Sequence, residues 1–127
     1  MNHQITDLGE LEHEVLDLVW RLGSATADVI QKRLGRPLKE STVRTVLTRL
    51  EQKGHLSHTT EGRTFIYSAT EGRAVAAGRA VKGIVDRFCN GSMEDVLVGM
   101  VNAKILNRRE LRELAQKIAK AKGGSKP

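Results

Sequence analysis

Hydroxyl and guanidinium side chains recur along the segment between residues 40 and 53. Hydroxyl groups hydrogen-bond to phosphates and to base edges, and a guanidinium can pair with guanine O6 and N7 through two parallel hydrogen bonds. A further basic side chain follows Gly62, between two segments of strand-like composition. We therefore predict DNA contacts from Ser41, Thr42, Arg44, Thr45, Thr48, Arg49 and Arg63.

Charge is distributed unevenly along the 127 residues, whose formal net charge is +6. Residues 32–63 contain eight Lys or Arg and three Glu, whereas residues 1–20 contain five acidic side chains and no Lys or Arg. A concentrated basic region is typical of a surface that binds a polyanion. Charge alone also fits a solvated basic face, so the prediction of DNA binding depends on the elements that carry these residues.

Those elements follow from the spacing of apolar residues. Steps of three and four predict helices over 9–22, 27–34 and 40–53, with Thr26 as the N-cap of the second. Segments 55–60 and 64–68 have strand composition and flank a turn at Gly62. Three helices followed by a hairpin predict a winged helix-turn-helix, whose third helix enters the major groove. The core face of that helix is predicted to contain Val43, Val46, Leu47 and Leu50.

Beyond residue 69 the sequence predicts helices over 71–89, 93–103 and 108–121, with Thr70, Ser92 and Asn107 at their starts. The apolar face of the first of these is predicted to contain Ala74, Ala77, Val81, Ile84, Val85 and Phe88. Three amphipathic helices with little aromatic mass would leave apolar surface exposed in a single copy, so we expect a homodimer. The predicted dimer interface contains Val81, Ile84, Val85, Phe88, Val96, Leu97, Met100, Leu111, Leu114 and Ile118.

The predicted fold class is thus mainly α. A winged helix-turn-helix of three helices and a β-hairpin wing covers residues 1–69, a three-helix dimerisation domain covers 70–122, and a flexible tail covers 123–127. Two paired copies would present two recognition helices to half-sites spaced by multiples of about 10 base pairs.

No residue pattern predicts an enzyme, a cofactor, a metal site or a small-molecule substrate. His55 and His58 are three apart in a predicted strand, so they point to opposite faces, and no nucleophile is grouped with a base. Cys89 is the single cysteine; we interpret it as a small buried or interfacial hydrophobe, with a redox switch as the alternative. Without a targeting pattern or an apolar run of about 20 residues, the sequence predicts a cytoplasmic protein with no membrane insertion.

Three stretches of the sequence resemble the penicillinase-repressor family, which includes BlaI, MecI and the copper-responsive CopY repressors. They are Leu8–Trp20, Ser41–Gly54 with its Thr-Val-Arg-Thr, Arg-Leu and Lys-Gly elements, and Arg63–Tyr67. The resemblance covers residues 7–119. It implies a dimeric repressor that binds inverted repeats in promoters of β-lactam resistance or copper export operons. In the β-lactam branch, a membrane sensor-protease relieves repression by causing cleavage in the dimerisation helix.

The sequence departs from the family pattern at two points. Gly99-Met100 stands where the family has its Asn-Phe cleavage pair, which puts cleavage by that route in doubt. The C-terminal segment also lacks the paired cysteines with which the copper branch binds metal, so copper sensing by that chemistry is excluded.

The sequence thus predicts a sequence-specific DNA-binding transcriptional repressor that acts as a homodimer on inverted-repeat operators of a resistance or stress operon. The alternative is a winged-helix protein-interaction module; it is less favoured because the third helix lacks the aromatic anchors of protein interfaces. An RNA-binding role is a third option, disfavoured because Tyr67 is the one candidate for a stacking aromatic.

Overall fold

The computed structural model describes residues 4–124, with side chains up to residue 121. A short 3-10 helix at Ile5–Asp7 precedes the first α-helix. The elements are α1 (Glu10–Leu22), β1 (Ser24–Ala25), α2 (Ala27–Arg33), α3 (Glu40–Gln52), β2 (Leu56–Glu61), β3 (Thr64–Ala69), α4 (Arg73–Phe88), α5 (Met93–Asn102) and α6 (Arg108–Gly124). The predicted mainly helical winged helix-turn-helix is confirmed by this order.

Local signals in the sequence account for the ends of the first helices. The hydroxyl of Thr26 accepts a hydrogen bond from the amide of Val29, which makes it the predicted N-cap of α2. Helix α1 ends at Gly23 (φ 86°) and α3 is followed by Gly54 (φ 87°). These two positions require the left-handed backbone that glycine adopts without a steric penalty.

The sheet is antiparallel with strand order β1-β3-β2. Glu61 pairs with Thr64, so Gly62 (φ 64°) and Arg63 alone form the hairpin turn. The hairpin prediction is confirmed, although β2 extends one residue beyond the predicted strand. Ser24 and Ala25 pair with Ser68 and Tyr67, which adds a third strand that two residues were too few to predict.

The core lies between the first three helices and the sheet. Its side chains with less than 2% of their surface exposed are Leu16, Ile30, Leu47, Leu50, Leu56, Val15, Val19 and Val43. The predicted core face of α3 is therefore confirmed, because Val46 is also buried. One side of the recognition helix is thereby fixed, and its other side is left for solvent or a ligand.

The start of α4 and the residues just before it contact α1. The indole Nε1 of Trp20 donates to the carbonyl of Glu71 (3.0 Å), and Arg73 lies over the Trp20 ring (4.9 Å) and pairs with Asp17 (2.5 Å). Ala76 and Ala80 are buried. The described chain accordingly divides after Gly83, within α4, into a first unit (residues 4–83) and a second unit (residues 84–124).

The predicted N-cap of α4 was wrong. The hydroxyl of Thr70 donates to the carbonyl of Gly54 (2.7 Å), and the helix begins three residues later, at Arg73. Thr70 is also held through its amide, which donates to the carbonyl of His55 (3.0 Å). Both contacts tie Thr70 to the segment that follows α3 rather than to the first turn of α4.

The second unit has well-capped helices and little buried surface. Ser92 accepts from the amide of Asp95, and Asn107 and Glu110 exchange hydrogen bonds with each other's backbone amides, as predicted. Among its described side chains only Val85 is buried. Helix α6 continues to Gly124, two residues into the predicted flexible tail, and the rest of that tail lies outside the described residues.

Candidate nucleic-acid interface

The structure brings six of the seven predicted DNA-contacting residues together on α3. Ser41, Arg44, Thr45, Thr48 and Arg49 are exposed and Thr42 is half-buried, on the side of the helix opposite its buried Val and Leu residues. An α-helix advances about 100° per residue, so this segregation follows from the sequence spacing. The result is a polar helical surface of a size that fits the major groove.

Two threonines of this surface bond to their own helix. The Thr45 hydroxyl donates to the carbonyl of Ser41 (2.9 Å), and the Thr48 hydroxyl donates to the carbonyl of Arg44 (3.0 Å). With its one proton used in this way, each hydroxyl oxygen presents acceptor lone pairs outward. Acceptors suit the amino groups of adenine and cytosine, whereas a phosphate contact would require the hydroxyl to rotate.

The two arginines of α3 lie in different surroundings. Arg44 donates through Nε (2.8 Å) and Nη2 (2.5 Å) to one carboxylate oxygen of Glu40, one helical turn earlier. No described residue holds the Arg49 guanidinium by a hydrogen bond, although it lies close enough to Glu12 for electrostatic attraction. Arg44 is therefore pre-oriented, and Arg49 is free to adapt to a ligand.

Arg49 borders a groove of about 480 Å³ between the first turn of α1 and α3. Gly9 and Leu11 form its α1 side, and Thr42 and Thr45 line its α3 side. Since one wall carries predicted DNA contacts, a ligand on the α3 surface would reach the start of α1 as well.

A partly buried ion pair ties α1 to the end of α3. The Lys53 ammonium lies 3.0 Å from both carboxylate oxygens of Glu12, and the Gly9 amide also donates to this carboxylate (2.9 Å). Burial raises the pKa of Glu12, but the Gly9 amide, Lys53 and the nearby Arg49 together lower it below its usual range. Glu12 therefore stays ionised and fixes the helix that carries the polar surface.

A second contact, which the sequence analysis did not predict, joins α3 to the wing. His58 of β2 places Nδ1 2.8 Å from both carboxylate oxygens of Glu51, and its ring stacks on Phe65 (centroids 4.0 Å apart). Tyr67 lies beside them, and burial together with the Glu51 charge raises its pKa. Strand alternation could have indicated this contact, because His58 shares a face with the buried Leu56.

Arg63 does not join the α3 cluster. It lies in the two-residue hairpin turn, is exposed, and has no hydrogen bond or ion pair with any described residue. A cation at the tip of a wing is available for contact with a nucleic-acid backbone. The predicted interface therefore consists of one helix surface and one separate hairpin position.

The residues predicted for the dimer interface lie on α4, α5 and α6, mostly exposed. Between 38% and 73% of the surface is exposed for Val81, Ile84, Phe88, Leu97, Leu114 and Ile118. Val96, Met100 and Leu111 are half-buried. Val85 differs from the rest because only 2% of it is exposed in the single chain, so it has no surface left to give to a partner.

Within residues 4–124 no group of three or more His, Cys, Asp or Glu side chains is arranged to hold a metal ion. No helix in that range combines the length and the apolar composition needed to cross a bilayer. Cys89 is half-buried at the end of α4.

Comparison with known proteins links the chain to repressors. Residues 8–120 match the family described as penicillinase repressor. The penicillinase repressor of Bacillus licheniformis is 27% identical over 125 residues, covering 97% of this chain and 98% of that protein. The methicillin resistance regulatory protein MecI of Staphylococcus aureus is 22% identical over 116 residues, covering 90% of this chain and 94% of that protein.

Solved structures agree with the fold. The DNA-binding domain of the repressor BlaI has 30% sequence identity and a TM-score of 0.51, and the match covers 58% of this chain and 92% of that domain. A MarR mutant from E. coli, complexed with operator DNA, has 18% identity and a TM-score of 0.51, with 91% of this chain and 76% of that chain covered. The MarR likeness supports the winged-helix fold alone.

Proposed function

The chain belongs to the penicillinase repressor family, and we propose that it is a sequence-specific transcriptional repressor that binds inverted-repeat operators as a homodimer. The observation that carries the proposal is the division of α3 into a fully buried apolar side and an exposed side of hydroxyls and guanidiniums. The Ser, Thr and Arg side chains on the exposed side are not needed to bury the core, so they can contact base edges and phosphates.

The DNA contacts divide by chemistry. Thr42, Arg44, Thr45 and Arg49 are placed for base contacts, because they lie on the α3 surface that would face the major groove. Ser41 and Thr48 flank them, and Arg63 at the hairpin turn contacts the backbone. The Glu51–His58 contact holds the hairpin against α3.

A homodimer is supported by the apolar surface that the single chain leaves exposed. Ala77, Val81, Ile84 and Phe88 are exposed along α4 at steps of four, three and four residues, the spacing of a helix–helix seam. Leu97, Val98, Val101 and Leu111 line a groove of about 570 Å³ within the second unit. A second copy would cover both features and would pair two recognition helices on one operator.

The family resemblance supports a cytoplasmic repressor of a resistance or stress operon, with a membrane sensor-protease as the partner that ends repression. The family's Asn-Phe cleavage pair corresponds here to Gly99-Met100 near the end of α5, so a protease of that kind would have to accept a different pair of residues. Met100 is half-buried in the single chain and belongs to the proposed dimer interface. Cutting there would remove part of the surface that holds the dimer together.

The test is selection of binding sites by the purified full chain from a random duplex library, followed by affinity measurements across a salt series. We expect an inverted-repeat consensus and a preference of about 10³ or more over unrelated DNA at physiological salt. Weak binding without a consensus, steeply dependent on salt, would reduce the basic surface to electrostatics. Absence of binding at low salt would overturn the proposal in favour of a protein-interaction module.

A further inference from the structure

Glu40 and Arg44 are joined by two hydrogen bonds as well as by their opposite charges. Glu40 is the first residue of α3, and Arg44 follows one turn later. Both the Nε–H and one Nη2–H of Arg44 point to the same oxygen, Oε2, of Glu40. These two protons form the side edge of the guanidinium plane, so the edge between Nη1 and Nη2 is left for another acceptor.

That remaining edge faces no acceptor among the described residues, since Glu40 is the one hydrogen-bonding partner of the Arg44 side chain. Both side chains are about half exposed. A guanidinium held by one edge presents its second pair of N–H groups as a rigid fork. Guanine offers the matching acceptors, O6 and N7, in the major groove.

Position on the helix favours the same use. The N-terminal residues of a recognition helix are the ones that reach base edges, and Glu40 and Arg44 occupy the first two turns of α3. Because the carboxylate offsets the guanidinium charge, the pair attracts phosphates less than a lone arginine would. Arg49 has no hydrogen-bonded partner among the described residues, although the Glu12 carboxylate attracts it.

We propose that Glu40 is a positioning residue that holds Arg44 for end-on recognition of a guanine and thereby determines the base preferred at one position of each half-site. The inference rests on the proposed DNA-binding function and deepens it. Glu40 contributes selectivity at the expense of non-specific affinity, because fixing the fork before binding reduces the side-chain freedom lost on contact.

The experiment compares sites selected from a random duplex library by the wild-type chain and by Arg44→Gln, Glu40→Gln and Glu40→Asp variants. Wild type should select a guanine at one position per half-site, and Arg44→Gln should lose that preference. Glu40→Gln should reduce discrimination at that position about tenfold, at the lower end of what one bidentate base contact provides. It should also bind unrelated DNA more tightly, since one acidic charge is removed.

Glu40→Asp separates position from charge. Aspartate keeps the negative charge at the first turn of α3 but is one methylene too short to hold Arg44 in the same way, so discrimination should fall while affinity for unrelated DNA stays unchanged. Glu113→Gln is the matched control, because it breaks a similar pair with Arg109 on α6, outside the proposed DNA-contacting surface. Circular dichroism establishes that each variant is folded.

Retention of the wild-type base preference by both Glu40 variants would overturn the inference and leave the pair as ordinary support for the helix. Selection of the same guanine by Arg44→Gln would overturn it too, because Arg44 would then not be the residue that recognises this base. A wild-type chain that selects no consensus would instead overturn the proposed function, and with it this inference. The last outcome is distinguished from the others because it appears before any variant is compared.

Discussion

The two units of the chain treat their apolar residues in opposite ways. In the first unit, the helices and the sheet enclose a core whose largest side chains, such as Leu47 and Leu50, are completely buried. In the second unit, Val85 is the one buried residue among the described side chains, while Phe88 and Ile118 are more than half exposed. The first unit has its own core, whereas the second leaves apolar side chains exposed that the proposed homodimer would cover.

This difference shows where each unit keeps its capacity for recognition. In the first unit the apolar core side chains of the helices and the sheet are buried, and the exposed side of α3 and the hairpin turn present polar groups, which suit DNA. The second unit retains apolar surface, which suits a protein partner. The proposed DNA contacts therefore lie in the first unit, and most of the proposed dimer interface lies in the second.

The largest expected effect comes from opening the closed core. Leu47→Ala should lower the free energy of unfolding by about 2–5 kcal/mol, because it leaves a cavity at a completely buried site. Leu97→Ala, a matched truncation on α5 where the side chain is 38% exposed, should change the unfolding of the first unit by less than about 1 kcal/mol. Urea unfolding measures both. Equal losses would remove the contrast between the units.

A charge placed in the open surface should act on assembly instead. Ile84→Asp should weaken the proposed homodimer by about 2 kcal/mol or more, because it buries an unpaired carboxylate between two copies. Val75→Asp is the control, since Val75 is 52% exposed on another side of α4. Sedimentation velocity at several concentrations gives the dissociation constant. If both variants self-associate like the wild type, the α4 seam is not the interface.

The polar surface of α3 offers a test at the level of one side chain. Arg49→Ala should weaken binding to a selected operator by about 1–3 kcal/mol if Arg49 reads a base, with little change on unrelated duplexes. A similar loss on both DNAs would assign Arg49 to a phosphate. Arg112→Ala, which removes an exposed arginine from α6, corrects for the change in net charge.

The smallest expected effect concerns the Glu12–Lys53 pair. Glu12→Gln should lower the free energy of unfolding by about 1 kcal/mol at pH 7, since it removes a charge-assisted contact. The Gly9 amide, Lys53 and Arg49 lower the pKa of Glu12 in the folded state below its ordinary value of 4.5, against the effect of burial. The stabilisation is therefore present at pH values above the pKa of Glu12 in the unfolded chain. It is lost as the pH falls through the pKa of Glu12 in the folded chain. Unfolding measured at decreasing pH should show the difference between the wild type and Glu12→Gln shrinking as Glu12 becomes protonated, and a difference that does not depend on pH would contradict this origin.

Helix starts in both units and the core face of α3 were predictable from local signals, whereas contacts between elements of the first unit were not. Apolar steps along α3 identified its core face, and Thr26, Ser92 and Asn107 marked helix starts correctly. The Glu51–His58 contact and the capture of Thr70 by Gly54 join residues that are separate in sequence. Apolar spacing shows which face of an element is buried but does not identify the residue on another element that it contacts.

Helix α4 shows a second limit. Its predicted apolar face mixed small and large residues, but the structure buries Ala76 and Ala80 and leaves Ala74, Ala77 and Val81 exposed. Alanine occurs on several sides of this helix, so apolar spacing could not distinguish the face packed in the first unit from the face left open.

Trp20 is the single tryptophan of the chain, and its position gives the molecule a built-in spectroscopic reporter. Its indole is hydrogen-bonded to the carbonyl of Glu71, two residues before the start of α4, and lies beneath the Arg73 guanidinium. Release of the start of α4 would return the ring to water and shift its emission, even with the core of the winged helix intact. Fluorescence of the unlabelled protein can therefore follow that docking event on its own, in the presence of DNA or of a binding partner.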